Sequence, residues 1–443
     1  MKKMKNIITI SGIAIVTLLF IIIGCGESFN RINTTPDGYG KTTLANGITF
    51  LVNHDNSTSL SAARILIGGG VLSETAENNG ATNLMIRMLL KGNTTNNAAE
   101  ISEELDFLGA NVSVANYRDY SAISFVSLTE NFEKTLDIIS SCLLNPTFPE
   151  DELEKLKHEV EGEIKTSNDN QNQASSNLFW KTAYGDAGYG LPTLGTAESI
   201  AGITSEDLKT HYQKYVGGSN LIFAVSTDLS VAMIASMANN KLGGLKAESV
   251  KLPVPELILQ SEKDGFISYD RNQSFLYMGI ALDHLAPNEV PYILLLNETM
   301  GGTVGSRLWF LRQKEKLAYS VYTQYALNKY STIFRAAIGT DTSKVQIALA
   351  SLNREWKKMV DEGLTEAELN DARVNMKNSM VYRIDTKRNR ANNMAYYEYI
   401  GYNYRYVLDL IEMADKVTLE QLNSFIKTKF TADRRFVSIV GKK

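Results

Sequence analysis

Phe148-Pro149-Glu150-Asp151-Glu152-Leu153 returns in the second half of the chain as Leu364-Thr365-Glu366-Ala367-Glu368-Leu369, and each copy opens a helix with a capping signal. A second pair follows in the same order. Ile203-Thr204-Ser205-Glu206-Asp207-Leu208, with the strand-like Leu221-Ile222-Phe223-Ala224-Val225 after it, is matched at almost the same separation by Val417-Thr418-Leu419-Glu420-Gln421-Leu422 and the strand Phe436-Val437-Ser438-Ile439-Val440. Two near-equal offsets mark one internal duplication, so the chain is read as two halves built alike. Leu242 to Lys263, with Gly243, Gly244, Pro253 and Pro255 among charged residues, shows no sustained helical period and is assigned as the linker. Strands such as Ile48 to Val52 and Leu60 to Ile67 precede helical stretches. The pattern predicts an α+β class with two homologous domains, 42–241 and 264–443, each a sheet with helices over one face.

The totals agree with two cores. The chain has 443 residues, 44% hydrophobic and 21% charged, too long for one core and too apolar for disorder. A formal net charge of -4, with no block of Lys and Arg, gives no field to neutralise phosphates, which argues against a nucleic-acid partner. Two cysteines, Cys25 and Cys142, cannot make a disulfide framework. Cys142 lies in the apolar run Ile138 to Leu144 and reads as a core residue.

Cys25 reads differently. Lys2, Lys3 and Lys5 precede an apolar run from Ile7 to Ile23, and Gly24-Cys25 ends it. This resembles a bacterial lipoprotein signal peptide over 1–25, whose cysteine becomes the lipidated first residue of the mature chain; an uncleaved membrane anchor is the other reading. A polar tether over 26–41 would follow. The resemblance implies a membrane-anchored lipoprotein of the bacterial cell envelope, with its globular part in the periplasm.

Gly80-Ala81-Thr82-Asn83-Leu84-Met85-Ile86-Arg87-Met88-Leu89-Leu90-Lys91-Gly92 is a helix apolar nearly all round, and such a helix is normally buried. From Asn83 to Leu90 only Asn83 and Arg87 are polar, and being four apart they share a face. A buried guanidinium without a partner costs roughly 3 to 5 kcal/mol, so something acidic is expected to face Arg87. Downstream, Leu153, Leu156, Val160 and Ile164 form an apolar stripe, and Glu163 points with it toward the interior.

This stretch resembles the inverted zinc motif of the pitrilysin/insulinase metallopeptidase family. There, His-x-x-Glu-His on a buried helix supplies two imidazoles and a general base, and a glutamate on a later helix completes the metal site. The matching positions here are Asn83, Ile86 and Arg87, with Glu163 in the later place. A carboxamide is a poor zinc ligand, a guanidinium cannot be deprotonated, and an aliphatic chain moves no proton. The resemblance implies that Arg87 and Glu163 form a salt bridge where zinc would sit, and that this chain binds no metal of its own.

Gly301-Gly302-Thr303-Val304-Gly305-Ser306-Arg307-Leu308-Trp309-Phe310-Leu311-Arg312, continuing to Tyr322, is similar to the same family's C-terminal signature, an Arg followed seven residues later by Tyr: Arg312 and Tyr319. In active relatives this pair reaches the zinc site across a clamshell and steadies the peptide and its tetrahedral intermediate; both groups are strong donors toward an oxyanion. A local pair of Arg312 with Glu315 is the bland alternative. Gly68 to Glu74 and Tyr189 to Thr204 extend the resemblance over nearly all of the chain after Thr42. It implies two domains with mixed, mainly antiparallel sheets, together forming half of the clamshell. His54, His158, His211 and His284 are scattered without metal spacing.

The family therefore suggests a non-catalytic subunit, inert alone. It would pair with a homologous zinc-bearing peptidase subunit, lend Arg312 and Tyr319 in trans, and act on unfolded peptide. A purely structural or peptide-binding protein of the same fold, like the core subunits of respiratory complexes, is the alternative; an unassisted peptidase with unusual ligands is a third reading.

Overall fold

The computed structural model describes residues 32–252, 254, 264–431 and 434–442. The signal-peptide reading, Cys25, the first part of the tether and most of the linker lie outside these residues. Among the described residues no helix is long and apolar enough to cross a membrane.

The first sheet holds β1 (Tyr39–Thr43), β2 (Thr49–His54), β3 (Leu60–Gly68), β4 (Asn111–Asn116), β5 (Tyr120–Leu128) and β6 (Leu221–Thr227), in the order β1-β2-β6-β3-β5-β4. The second holds β7 (Asp264–Ser268), β8 (Gln273–Asp283), β9 (Ser320–Leu327), β10 (Ser331–Asp341) and β11 (Arg435–Gly441), in the order β7-β11-β8-β10-β9. Dropping β1 makes the two orders the same. One pair in each is parallel at the matching place, β2 with β6 and β7 with β11, and every other pair is antiparallel. The helices keep the spacing of the sequence repeat. Glu150–Asp169 precedes Glu366–Ile384 by the same offset that separates Gln171–Tyr184 from Lys387–Tyr399, and Ser205–Tyr215 precedes Leu419–Lys429 by nearly that offset.

Three local expectations need correction. Residues 39–41, assigned to the tether, begin the first sheet, because Tyr39 to Thr43 pair with Thr49 to Asn53. Leu242, assigned to the linker, ends the helix Val231–Leu242. The capping signals are also unequal. Thr365 and Glu368 bond reciprocally, as do Thr204 with Asp207 and Thr418 with Gln421, but the Glu150 helix follows Pro149, which has no side-chain acceptor. There Glu150, Asp151 and Glu152 supply negative charge to the helix's positive end instead.

The largest departure concerns what covers the sheets. Alternate residues of the central strands enter different cores: Phe50 and Val52 pack on one side of β2 and Leu51 on the other, and Phe223 and Val225 oppose Ile222 and Ala224 on β6. Both faces are thus buried, not one. The second face of each sheet is closed by a helix from the other half: Lys387–Tyr399 lies over β2, β3, β5 and β6, and Gln171–Tyr184 lies over β7, β8 and β11. Polar groups fix both crossings. Lys387 Nζ donates to the carbonyls of Thr58 (2.7 Å) and Leu60 (2.8 Å), and Tyr399 Oη donates to Asp119 O at 2.6 Å. Ser438 Oγ donates to Ser175 O at 2.8 Å, and Tyr184 Oη meets Ser331 Oγ at 2.9 Å.

Because each half lends the other a core-forming helix, cutting the connection should not release them. A chain with a protease site inserted between residues 255 and 260 is expected, once cut, to elute as one particle in size-exclusion chromatography and to separate only in denaturant. Fragments that part in native buffer would contradict the exchange.

Candidate functional site

The helix Ala81–Met88 is held from its N-terminus. Gly80 precedes it at φ +100°, where a side chain would be strained, and a Cβ there would stand 2.7 Å from Ile200 Cγ2. The buried carboxylate of Glu74 folds back over the helix start. Its Oε1 accepts from Thr82 N (2.7 Å), and its Oε2 accepts from Gly80 N (3.1 Å) and Asn79 Nδ2 (2.8 Å). Burial pushes this carboxyl up, while the same donors hold it down. From the helix Ser205–Tyr215, His211 Nε2 lies 3.0 Å from Thr82 Oγ1 and 3.3 Å from Ser73 Oγ. Burial, and then the charge of Lys214, brings this imidazole down to about 4, so it is neutral in ordinary buffers.

The geometry sorts the motif positions. Ile86 is fully buried and packs with the first half's main core. Asn83 and Arg87 line a cleft of about 620 Å³ with Leu156, Glu159 and Glu163. Arg87 Nη1 contacts both oxygens of Glu163, at 3.0 and 3.1 Å, and its Nη2 donates to Glu159. The salt bridge proposed from the sequence is present, with a second carboxylate that the sequence reading did not name. Glu163 does not point into the interior as expected: its side chain is 40% exposed, and that of Arg87 is 20% exposed. The pair lines the cleft partly open to solvent, which limits its contribution to about 1 kcal/mol or less.

These residues do not fit a zinc ion. Asn83 is 4% exposed, its Nδ2 has no hydrogen-bond partner, and a carboxamide is a poor zinc ligand. Arg87 brings a fixed positive charge to the same face, and Glu163 is engaged by it. Among the described residues no group of three or more His, Cys, Asp or Glu side chains could hold a metal ion. The other histidines are dispersed: His54 Nδ1 lies 2.9 Å from Leu229 O, His284 Nδ1 lies 3.1 Å from Asn328 O, and His158 is exposed beside Glu161. Cys142 is a core thiol, pushed up to about 11 by burial.

In the second half, Arg312 lies on the short helix Trp309–Gln313, its guanidinium 5.0 Å from the Trp309 ring centroid. It does not pair with Glu315, which instead binds Arg354 (2.5 Å) and Ser351 Oγ (2.9 Å). Tyr319 stands just before β9, 59% exposed, with its backbone N–H bonded to Gly339 O. Among the described residues neither side chain has a hydrogen-bond or ion-pair partner.

Comparison with known proteins gives a family. The family model of insulinase (peptidase family M16) matches residues 49–197, and that of the peptidase M16 inactive domain matches residues 202–376. An uncharacterized zinc protease of Bacillus subtilis, YmxG, is 25% identical over 400 residues, covering 88% of this chain and 95% of its own. A Helicobacter pylori protein described as a non-peptidase homolog, also YmxG, is 25% identical over 384 residues, 85% of this chain and 87% of its own. The crystal structure of a peptidase M16 inactive domain from Pseudomonas fluorescens superposes with a TM-score of 0.85 at 21% identity, over 91% of this chain and 98% of that one.

Two measurements check the site. The purified chain is expected to hold no stoichiometric zinc by elemental analysis, whereas the double variant Asn83→His, Arg87→His should take up about one zinc per chain and lose it when Glu163→Ala is added. A double variant that stays metal-free would show that the face no longer has ligand geometry. For His211, the folded value of about 4 lies below the ordinary 6.5. The unfolded chain therefore binds the proton first as pH falls, and the stability from this group, present above 6.5, drains between 6.5 and 4 at up to about 1.4 kcal/mol per unit. The advantage of the wild type over His211→Gln in urea unfolding should shrink by about 2 to 3 kcal/mol between pH 7 and 4.5. A constant gap would mean that His211 is not held neutral.

Proposed function

This chain belongs to peptidase family M16, the insulinase family, in a form without the zinc motif, and from that premise we propose that it is the non-catalytic partner of a zinc-bearing subunit of the same fold. Each active chamber would be built from two chains. The partner brings the metal and its ligands, and this chain brings Arg312 and Tyr319.

The observation that carries the proposal is an asymmetry between the halves. In the first half the ligand positions hold an orphaned amide, a core isoleucine and an arginine locked to Glu163 and Glu159. In the second half Arg312 and Tyr319 are exposed, and the acid that could have tied Arg312 down is taken by Arg354. A guanidinium and a phenol left free at a surface can donate to a peptide carbonyl and to the oxyanion that forms from it. The relative described as a non-peptidase homolog supports the non-catalytic part of this reading. The substrate class would be an unfolded peptide or short polypeptide enclosed between the two chains. Lipidation at Cys25 would tether the pair to the envelope membrane, with the chamber in the periplasm.

The test is reconstitution. This chain alone should cleave no peptide, and a mixture with its zinc-bearing partner should. In that mixture Arg312→Ala or Tyr319→Phe is expected to lower kcat by about tenfold or more, the scale of one lost oxyanion donor. Unchanged turnover in both variants would remove the role given to the pair.

A further inference from the structure

A second cavity, of about 810 Å³, opens between the two halves and involves none of the zinc-motif positions. Its volume falls in the range of pockets that hold small ligands, roughly 300 to 1,000 Å³. Four arginines line it: Arg64 from β3, Arg118 from the turn between β4 and β5, Arg335 from β10, and Arg383 from the helix Glu366–Ile384. None of the four belongs to a salt bridge among the described residues.

Their surroundings are aromatic and neutral instead. Arg64, only 6% exposed, sits 5.6 and 5.5 Å from the ring centroids of Tyr117 and Tyr120, and its buried Nε has no hydrogen-bond partner. Arg335 lies 4.0 Å from the Tyr277 ring; its Nη2 bonds Ser176 Oγ (2.9 Å) and Gln324 Oε1 (3.1 Å), while its buried Nη1 bonds nothing. Arg118 lies 4.0 Å from the Trp180 ring and donates to the carbonyls of Tyr189 and Leu191. Arg383 donates to Tyr325 Oη at 2.6 Å. Burial works against the charge of Arg118, bringing it down to about 9, and the nearby positive charge of Arg335 adds to this. Among the described residues the one acidic side chain lining the cavity is Asp119, and both its oxygens are engaged, one by Tyr189 Oη and the other by Lys329 N (2.8 Å).

Arg64 is buried and Arg118, Arg335 and Arg383 are half-buried, none with a carboxylate in salt-bridge contact among the described residues, while the half-buried Glu298 lies in the field of Arg383; an anion joining them would offset the cost of taking their charge out of water. Guanidinium forks that keep unused donors are the groups best suited to bind a carboxylate in two-point fashion, and the ring faces beside them suit an apolar or planar body. We propose that this inter-half cavity is a binding site for a ligand carrying clustered carboxylates, read by Arg64, Arg335 and Arg383. That chemistry has two sources, an acidic peptide segment or a small polycarboxylate. The site does not depend on the partner-subunit reading, since it needs this chain alone.

The test is calorimetric titration of the full chain in detergent with three probes: citrate, tetraglutamate and, as the uncharged control, tetraglutamine. Saturable, salt-weakened binding of citrate or tetraglutamate but not tetraglutamine is expected, with Kd of about 10 to 100 µM. Arg335→Gln and Arg383→Gln, each retaining the wild-type melting temperature, should weaken it about tenfold or more. Arg383 is half-buried, so its variant keeps the test open should Arg335→Gln fail to fold. Binding of citrate alone would identify a small-molecule site, and of tetraglutamate alone a peptide site. Absence of saturation by either anion at about 5 mM, or unchanged affinity in a folded variant, would overturn the proposal and leave the arginines as packing against the rings.

Discussion

Everything in this molecule follows from the need to cover the second face of each sheet. A strand such as β2 or β6 carries apolar side chains on both sides, so a layer of helices over one face leaves the other in water. Each half takes a helix from its twin: Lys387–Tyr399 for the first sheet, Gln171–Tyr184 for the second. The duplication is thereby more than two domains in series. A half without its partner would expose the apolar row Leu51, Leu66, Ile222 and Ala224, or its counterpart Phe275, Tyr277 and Phe436.

That exchange also sets the stage on which the degenerate motif sits. The Ala81–Met88 helix has one end tied by the Glu74 carboxylate and its core face locked by Ile86, leaving Asn83 and Arg87 at the cleft. A helix so fixed holds its geometry after the ligands change. What changes is the sign of the charge. A zinc site gathers carboxylate and imidazole around a cation that comes from solution; here the cation is covalent, carried by Arg87, and the carboxylates of Glu159 and Glu163, one turn apart on one helix, close on it. The site retains a positive centre and its acidic ring but cannot present an exchangeable position to water or a peptide carbonyl.

Much of this was legible in the sequence, and the parts that were not have definite reasons. The near-constant offset between the two sets of motifs located the paired helices and the closing strands β6 and β11, because a repeat preserves spacing even where residues drift. The cost of an unpaired guanidinium called for an acid facing Arg87, and the resemblance to the family motif singled out Glu163. Glu159 was missed because only Glu163 had a counterpart in the family motif, although the i, i+4 spacing and the fork of an arginine together admit a second acid. Glu74 was missed because it lies well before the helix it caps and matches no local capping pattern. The exchange of helices could not be read at all. Periodicity in Gln171–Tyr184 marks which side chains are buried, Ala174, Ser175, Phe179 and Trp180 among them, yet it says nothing of whose sheet they meet. The small residues Ala391 and Ala395 on its counterpart are a hint of close approach, visible only in retrospect.

The same junction that joins the halves accounts for the uncompensated arginines between them. Asp119 is the natural counter-ion for that cavity, lying beside Arg118 and in the field of Lys329. Its carboxylate is spent on the seam, receiving Tyr189 from the first half and the Lys329 amide from the second, and burial raises it to about 6. A carboxylate committed to two fixed donors at the seam makes no salt bridge with Arg64, Arg335 or Arg383 among the described residues. The positive excess in the cavity is therefore a consequence of how the halves are fastened rather than of loose surface charge. An anion entering from outside would meet donors already positioned by aromatic faces, with no internal acid to displace.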